Sequence, residues 1–197
     1  MKSKFLLLVT VAIVAMVGAG AGLSARPYTF HGSLIDPPVP AVDFTLTDQT
    51  GQPFRLSEQA GNVVLLFFGY TSCPDVCPAT LTQFKRIRTE MGKEAGRVRF
   101  VLVTVDPQRD TAERLRQYLT GFDSSFVGLT GTWLDLDQVY RSYGVYQAIP
   151  VPGPAYTVDH TDRVYAIDPK GNLRLTYTSD TTADDLAQDV RQLLKGK

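Results

Sequence analysis

Apolar residues recur along the chain at two spacings. Val63–Gly69 (VVLLFFG) is an unbroken apolar run, too short for a buried helix and of the length of a central strand covered on both faces. Arg97–Val105 is also strand-like, carrying Val98, Phe100, Val101, Leu102, Val103 and Val105. Between them Leu81, Phe84, Ile87 and Met91 fall on one stripe, which predicts a helix over Ala79–Met91. Asp110 and Glu113 have the form of a capping box, opening a helix through Tyr118 and Leu119. Leu136, Val139, Tyr140 and Tyr143 mark another helix, ended by Gly144. Arg163–Ile167 and Leu173–Tyr177 read as strands joined by a Pro169-Lys170-Gly171-Asn172 turn, which makes a hairpin. Thr182 with Asp185 caps a last helix whose apolar face is Leu186, Ala187, Val190, Leu193 and Leu194. Near the start, Asp43-Phe44-Thr45-Leu46 alternates as a short strand, and a turn from Asp48 to Pro53 leads to a second at Phe54 and Arg55.

That order (strand, helix, strand, helix, hairpin, helix) predicts an α/β fold: a thioredoxin-like three-layer sandwich with an N-terminal β-hairpin extension, spanning residues 41–197. Ahead of it, Phe5–Ala25 is a stretch of 21 residues without a charge. As a helix it would be about 31 Å long, close to the hydrocarbon thickness of a bilayer. Its densest part, Phe5–Val17, has the length of a signal-peptide core, and Ala19-Gly20-Ala21 has the small residues of a cleavage site. Residues 1–25 are therefore read as a membrane anchor or uncleaved signal, with a cleaved signal as the alternative. Lys2 and Lys4 favour the inner side, which puts the domain on the periplasmic face of the cytoplasmic membrane. Residues 26–40, with Pro27, Pro37, Pro38 and Pro40, read as a stiff tether.

Charge and composition exclude more than they assign. The 197 residues carry 20 basic and 20 acidic side chains; setting aside Lys2 and Lys4 leaves 18 against 20, a formal −2 for the exported part. A nucleic-acid binder built on bulk positive charge is excluded by that balance. Two cysteines are too few for a disulfide scaffold or a cysteine-only zinc site, and two histidines argue against a histidine-rich centre.

The cysteines themselves are placed for chemistry. Cys73-Pro74-Asp75-Val76-Cys77-Pro78 lies directly after the central strand and before a helix. Each cysteine precedes a proline, which biases it away from helical backbone, so Cys77 is expected at the helix cap with Pro78 as the first helical residue. A thiolate there would face unpaired N–H groups and ionise more readily than a free thiol. Such a pair can serve as a structural staple, form a reversible disulfide, attack another disulfide, or hold a soft metal ion. As a staple it would close a ring of about five residues, contributing only ~2 kcal/mol in the loop-entropy model. His160, in Val158-Asp159-His160 before the Arg163–Ile167 strand, is the candidate third partner, with Asp159 a candidate to orient it. Two thiolates and an imidazole suit Cu(I), whereas structural zinc wants a fourth protein ligand. His31 lies on the tether and is not counted among the ligands.

At this point the residues resemble a known family, the Sco/SenC copper-site assembly proteins. The resemblance runs from about Phe44 to the C-terminus. It is carried by Phe68-Gly69-Tyr70-Thr71-Ser72-Cys73-Pro74-Asp75-Val76-Cys77-Pro78, Val105-Asp106-Pro107-Gln108-Arg109-Asp110-Thr111, Gly128-Leu129-Thr130-Gly131 and Val158-Asp159-His160-Thr161. It implies a membrane-anchored thioredoxin fold that binds one copper, as Cu(I) and also Cu(II), through Cys73, Cys77 and His160. It further implies a partner, the CuA domain of cytochrome c oxidase subunit II, with another periplasmic copper chaperone or a thiol reductant as further partners. Asp106 would be an acidic neighbour of the site. Asp106-Pro107 also reads as a plain strand end and helix cap, and Arg109 with Asp110 as a local ion pair.

Two functions compete on the same residues. A metallochaperone would load copper on Cys73, Cys77 and His160 and pass it on by ligand exchange. A thiol-disulfide reductase would instead use Cys73 and Cys77 as a redox-active pair that keeps the CuA cysteines reduced for another chaperone to load; Cys73, on the loop, looks the more approachable. Peroxidase chemistry has less support, because Tyr70 stands where peroxiredoxins carry threonine.

Overall fold

A computed structural model describes residues 28–148 and 156–196. Along the chain these form β1 (Ser33–Pro40), β2 (Thr45–Asp48), β3 (Pro53–Arg55), β4 (Val63–Gly69), α1 (Val76–Met91), β5 (Val98–Thr104), α2 (Ala112–Thr120), β6 (Val127–Thr130), α3 (Trp133–Ser142), β7 (Gln147–Ala148), β8 (Asp159–His160), β9 (Val164–Ile167), β10 (Asn172–Tyr177) and α4 (Ala183–Leu194). Eight strands make one sheet in the order β1-β10-β9-β4-β5-β6-β2-β3, and β7 with β8 makes a two-stranded ribbon. The leader expected over residues 1–25 lies outside the described residues, among which no helix is long and apolar enough to cross a membrane.

The apolar run Val63–Gly69 is buried at every position because it is the sheet's centre, parallel to β5 and antiparallel to β9. Its side chains alternate between two helical layers. Leu65, Phe67 and Gly69 face α1, on whose side Phe84 meets Phe100 of β5 with ring centroids 5.3 Å apart. Gly128 of β6 lies under α2, where a Cβ would come within 2.6 Å of Leu119. On the other side Phe68 packs edge-on against Tyr140 of α3 and Tyr165 of β9. The sandwich is therefore three layers deep, and the β2–β3 hairpin extends it beyond β6, as the sequence order predicts.

Three local expectations are corrected. Residues 33–40 of the expected tether are β1, which closes the far edge of the sheet against β10. Its register breaks between Leu34 and Val39, where Pro37 and Pro38 have no N–H to donate, so the strand is tolerated only at an edge. The residues before it are also fastened: Asp189 of α4, buried completely, accepts from the Tyr28 hydroxyl (2.7 Å) and from the backbone N–H groups of His31 and Gly32 (3.0 and 2.9 Å). Second, α2 is capped by Thr111, whose hydroxyl accepts from the Arg114 N–H, while Asp110 points inward and caps nothing. Third, α1 begins at Val76, so Cys77 and Pro78 lie inside its first turn. Proline is allowed there because the first N–H groups of a helix have no intrahelical acceptor.

The clamp on the N-terminal segment is testable. Asp189→Ala should speed amide hydrogen exchange at His31 and Gly32 by at least tenfold while leaving β4 protected. Unchanged exchange at those two amides would mean that β1 pairing alone holds the segment.

Candidate metal and thiol centre

Three elements bring the predicted residues together. Cys73 lies on the turn after β4, Cys77 in the first turn of α1, and His160 on β8. One ligand atom from each lies within 4.8 Å of the others, and Cys77 Sγ is 3.7 Å from His160 Nε2. Both cysteines are free thiols. Cys77 is fully buried while Cys73 is half-buried, so the approachable sulfur is Cys73, as its loop position suggested.

Local geometry accounts for each position. The Tyr70 N–H donates to Cys77 Sγ at 3.4 Å, tying the first turn of α1 to the end of β4. Gly69 leaves the sulfur room: a Cβ there would come within 2.7 Å of Cys77 Sγ and of the Phe67 ring. His160 sits edge-on to both Tyr70 and Phe67, with centroid separations of 5.7 and 6.2 Å. Its Nδ1 lies 2.9 Å from the Thr161 carbonyl oxygen. A carbonyl can only accept, so Nδ1 carries a proton, and in the neutral ring Nε2 then has its lone pair on the side of the sulfurs. The backbone carbonyl of Thr161 thus does the orienting that the sequence suggested for Asp159, which is exposed.

The two thiols ionise unequally. Cys73 is lowered to about 4, chiefly because the Cys77 thiol donates a hydrogen bond to it, with further support from the N–H groups of Cys77 and Asp75. Cys77 is pushed upward, first by that same bond and then by burial. This corrects the expectation that the helix end would favour a Cys77 thiolate. The unpaired N–H groups of a first turn point outward past its start, so they serve the sulfur on the preceding loop.

The acidic motif surrounds the site rather than entering it. Asp110, buried, accepts from the Thr71 and Thr104 hydroxyls (2.7 Å each) and the Thr71 N–H (3.1 Å), locking the turn before Cys73 to the end of β5. It does not pair with Arg109, whose partner is Asp106. Arg109 lies over the Tyr70 ring at 5.7 Å and over the Tyr156 ring at 3.7 Å. Tyr156 has no role in the sequence reading, because a lone aromatic after a proline-rich stretch carries no periodic or motif signal.

Comparison with known proteins follows from this arrangement. The family model described as SCO1/SenC matches residues 36–195. A SCO2-like protein of Rickettsia felis is 36% identical over 158 residues, covering 78% of this chain and 75% of its own. The structure of Bradyrhizobium japonicum ScoI with copper bound is 35% identical with a TM-score of 0.72, covering 79% of this chain and 99% of that one. The apo Sco1 protein from Thermus thermophilus is 37% identical with a TM-score of 0.77, covering 86% and 99%.

Two outcomes check the geometry. The thiolate is the nucleophile, so a lowered pKa extends reactivity to acid. Cys73 should alkylate with iodoacetamide at a nearly constant rate from about pH 8 to about pH 5 and slow towards about 4, while Cys77 stays unmodified in the native protein. A half-point near 8.5 would contradict the unequal pair. Gly69→Ala should cost about 1–3 kcal/mol in urea unfolding, since neither Phe67 nor the sulfur can move away without repacking.

Proposed function

The chain belongs to the SCO1/SenC family, and from that premise we propose that it is a copper metallochaperone that loads the CuA site in subunit II of cytochrome c oxidase. The observation that carries the reading is the convergence of two thiols and an imidazole nitrogen within 4.8 Å of one another. Three soft or borderline donors suit Cu(I), and structural zinc would need a fourth. The copper-bound relative from Bradyrhizobium japonicum supports copper as the cargo. Family membership supports CuA as its destination.

The residues divide the work. Cys73, already a thiolate at neutral pH, is the sulfur that an arriving ion meets first. Cys77 gives up its proton when the ion binds, and His160 Nε2, its Nδ1–H held by the Thr161 carbonyl, closes the third position. Release runs through the same open side: partner thiolates and imidazoles replace Cys73 first, and Cys77 regains its proton as the ion leaves. Cu(II) would be held by the same three donors. The leader of residues 1–25 would keep the domain on the periplasmic face of the cytoplasmic membrane, beside a membrane-bound oxidase. A second periplasmic copper chaperone would supply the ion.

The unequal thiols favour one second reading, reduction of the partner's CuA disulfide. Cys73 thiolate attacks one partner sulfur and displaces the other as a thiolate. Cys77 then loses its proton and attacks Cys73, releasing the reduced partner and leaving a Cys73–Cys77 disulfide. Two electrons pass from the cysteine pair to the partner, and an exported thiol reductant must restore it.

An anaerobic Cu(I) titration of the reduced protein against a competing chelator separates the two. The chaperone predicts one copper per chain, weakened about tenfold or more in His160→Ala, since even groups that only support a ligand matter that much. Weak binding indifferent to His160, with disulfide reduction intact in His160→Ala, would favour the reductase.

A further inference from the structure

Residues 156–160 carry His160 on a segment whose strand pairing, among the described residues, is the short ribbon with β7, where Gln147 faces His160 and Ala148 faces Asp159, continued by the Thr161 N–H donating to the Tyr146 carbonyl at 3.1 Å. Two register pairs do little to fix a strand. Three other ties reach the segment from elsewhere. The Arg109 guanidinium donates from Nη1 to the Tyr156 carbonyl at 2.9 Å and stacks on the Tyr156 ring at 3.7 Å. The Tyr156 hydroxyl donates to Asp106 at 2.6 Å. The Val158 N–H donates to the Tyr70 hydroxyl at 3.2 Å, and Arg109 covers the face of that same Tyr70 ring. Asp106, only 3% exposed, holds the Nε side of Arg109.

We propose that Arg109, braced by Asp106, is a positioning residue for His160: it clamps the histidine-bearing strand through Tyr156 and Tyr70 and so sets how readily the third metal ligand is in place. The inference rests on the three-ligand reading above. A plain ion pair at the end of β5 would tie down only its own loop. These contacts instead join positions 47, 50 and 88 residues apart in the chain. The planar fork of arginine is what makes this possible, because Nε, Nη1 and the π face serve three partners at once; an ammonium is a point charge without that geometry. Two residues beyond Val158, His160 inherits the fixed backbone, and its ring rests on Tyr70, the same side chain that Arg109 covers. Loosening the clamp leaves the sulfurs untouched, since Cys77 is held by the Tyr70 N–H and Gly69 rather than by Arg109.

The test uses Arg109→Gln, Arg109→Lys and Tyr156→Phe in the reduced full chain. Without metal, Arg109→Gln should speed amide exchange at Val158 by about tenfold or more while β4 and β5 remain protected. Its Cu(I) affinity should fall about tenfold or more, within the range known for groups that support metal ligands. The double variant Arg109→Gln/His160→Ala should bind no more weakly than His160→Ala alone, because both changes act on one ligand. Arg109→Lys should behave like Arg109→Gln. Tyr156→Phe, which removes a single hydroxyl, should move exchange in the same direction and supplies the readout if the arginine variants fold poorly. Unaltered Val158 exchange, native affinity in Arg109→Lys, or a further loss in the double variant would each overturn the clamp, the last two by showing a charge effect on the sulfurs. Native affinity in His160→Ala would instead sink the three-ligand reading, and the metal consequence of the clamp with it. A weakened His160→Ala beside an unaffected Arg109→Gln would sink the clamp alone.

Discussion

Cys77 is buried where β4 runs out of the sheet, and a sulfur deprived of water there depends on what the backbone gives it. It receives the Tyr70 N–H at 3.4 Å and the space left by Gly69. Those two contacts fix the distance between the end of β4 and the first turn of α1, and with it the position of every group that approaches the sulfur. Because Cys77 is the inner member, its partner must be the outer one. Cys73 then accepts the hydrogen bond of the Cys77 thiol, and beyond it the N–H groups at the helix start, and it becomes the thiolate. The inequality of the two thiols thus comes first from the hydrogen bond between them, in which the inner thiol donates, and then from the burial of Cys77.

The third group comes from the opposite end of the chain. His160 reaches Cys77 across 83 residues of sequence, on a ribbon too short to define its own position. Its ring is held from three directions, by edge-on contacts with Phe67 and Tyr70 and by the Thr161 carbonyl at Nδ1. The carbonyl decides the tautomer, and the tautomer decides whether Nε2 offers a lone pair or a proton to the sulfurs. A site with Nε2 protonated would be a hydrogen-bond donor to a thiolate, useful for disulfide chemistry and useless for holding a metal. The Thr161 carbonyl at Nδ1 suits the metal-holding tautomer, while the half-buried Cys73 keeps thiol exchange open to the same pair.

Much of this was legible because it was local. The unbroken run Val63–Gly69 reads as a central strand, and a cysteine pair straight after it stands at that strand's C-terminal end over a helix start. His160 could be named from its place before β9. What could not be read was decided by contacts between distant residues. Asp110 matches a capping box by spacing, yet Thr104 at the end of β5 and the hydroxyl and N–H of Thr71 on the turn after β4 draw it inward, and Thr111 caps instead. The prolines of residues 37–40 suggest a tether until β10 supplies an edge that does not need their missing donors. Tyr156 had no pattern at all, since its meaning lies in Asp106 and Arg109, about fifty residues earlier.

The same separation of scales bears on how one fold serves both metal and thiol chemistry. The strand–turn–helix that lowers the pKa of Cys73 is generic to a sulfur placed before a helix, and it would serve an oxidoreductase equally well. Metal binding is added by a segment from elsewhere in the chain, at the cost of ordering it. Backbone ordering costs about 1–2 kcal/mol per residue, so a five-residue segment left free until the ion arrived would forfeit much of the gain from one imidazole bond. Ties from Arg109, Tyr156 and Tyr70 meet that cost in the folded protein, before any ion is present. Too rigid a strand, in turn, would oppose release, because a departing ion must lose its ligands one at a time. The clamp is graded in depth: Asp106 is buried, Arg109 is about one-quarter exposed, and the segment it orders is tied from one side of the site only.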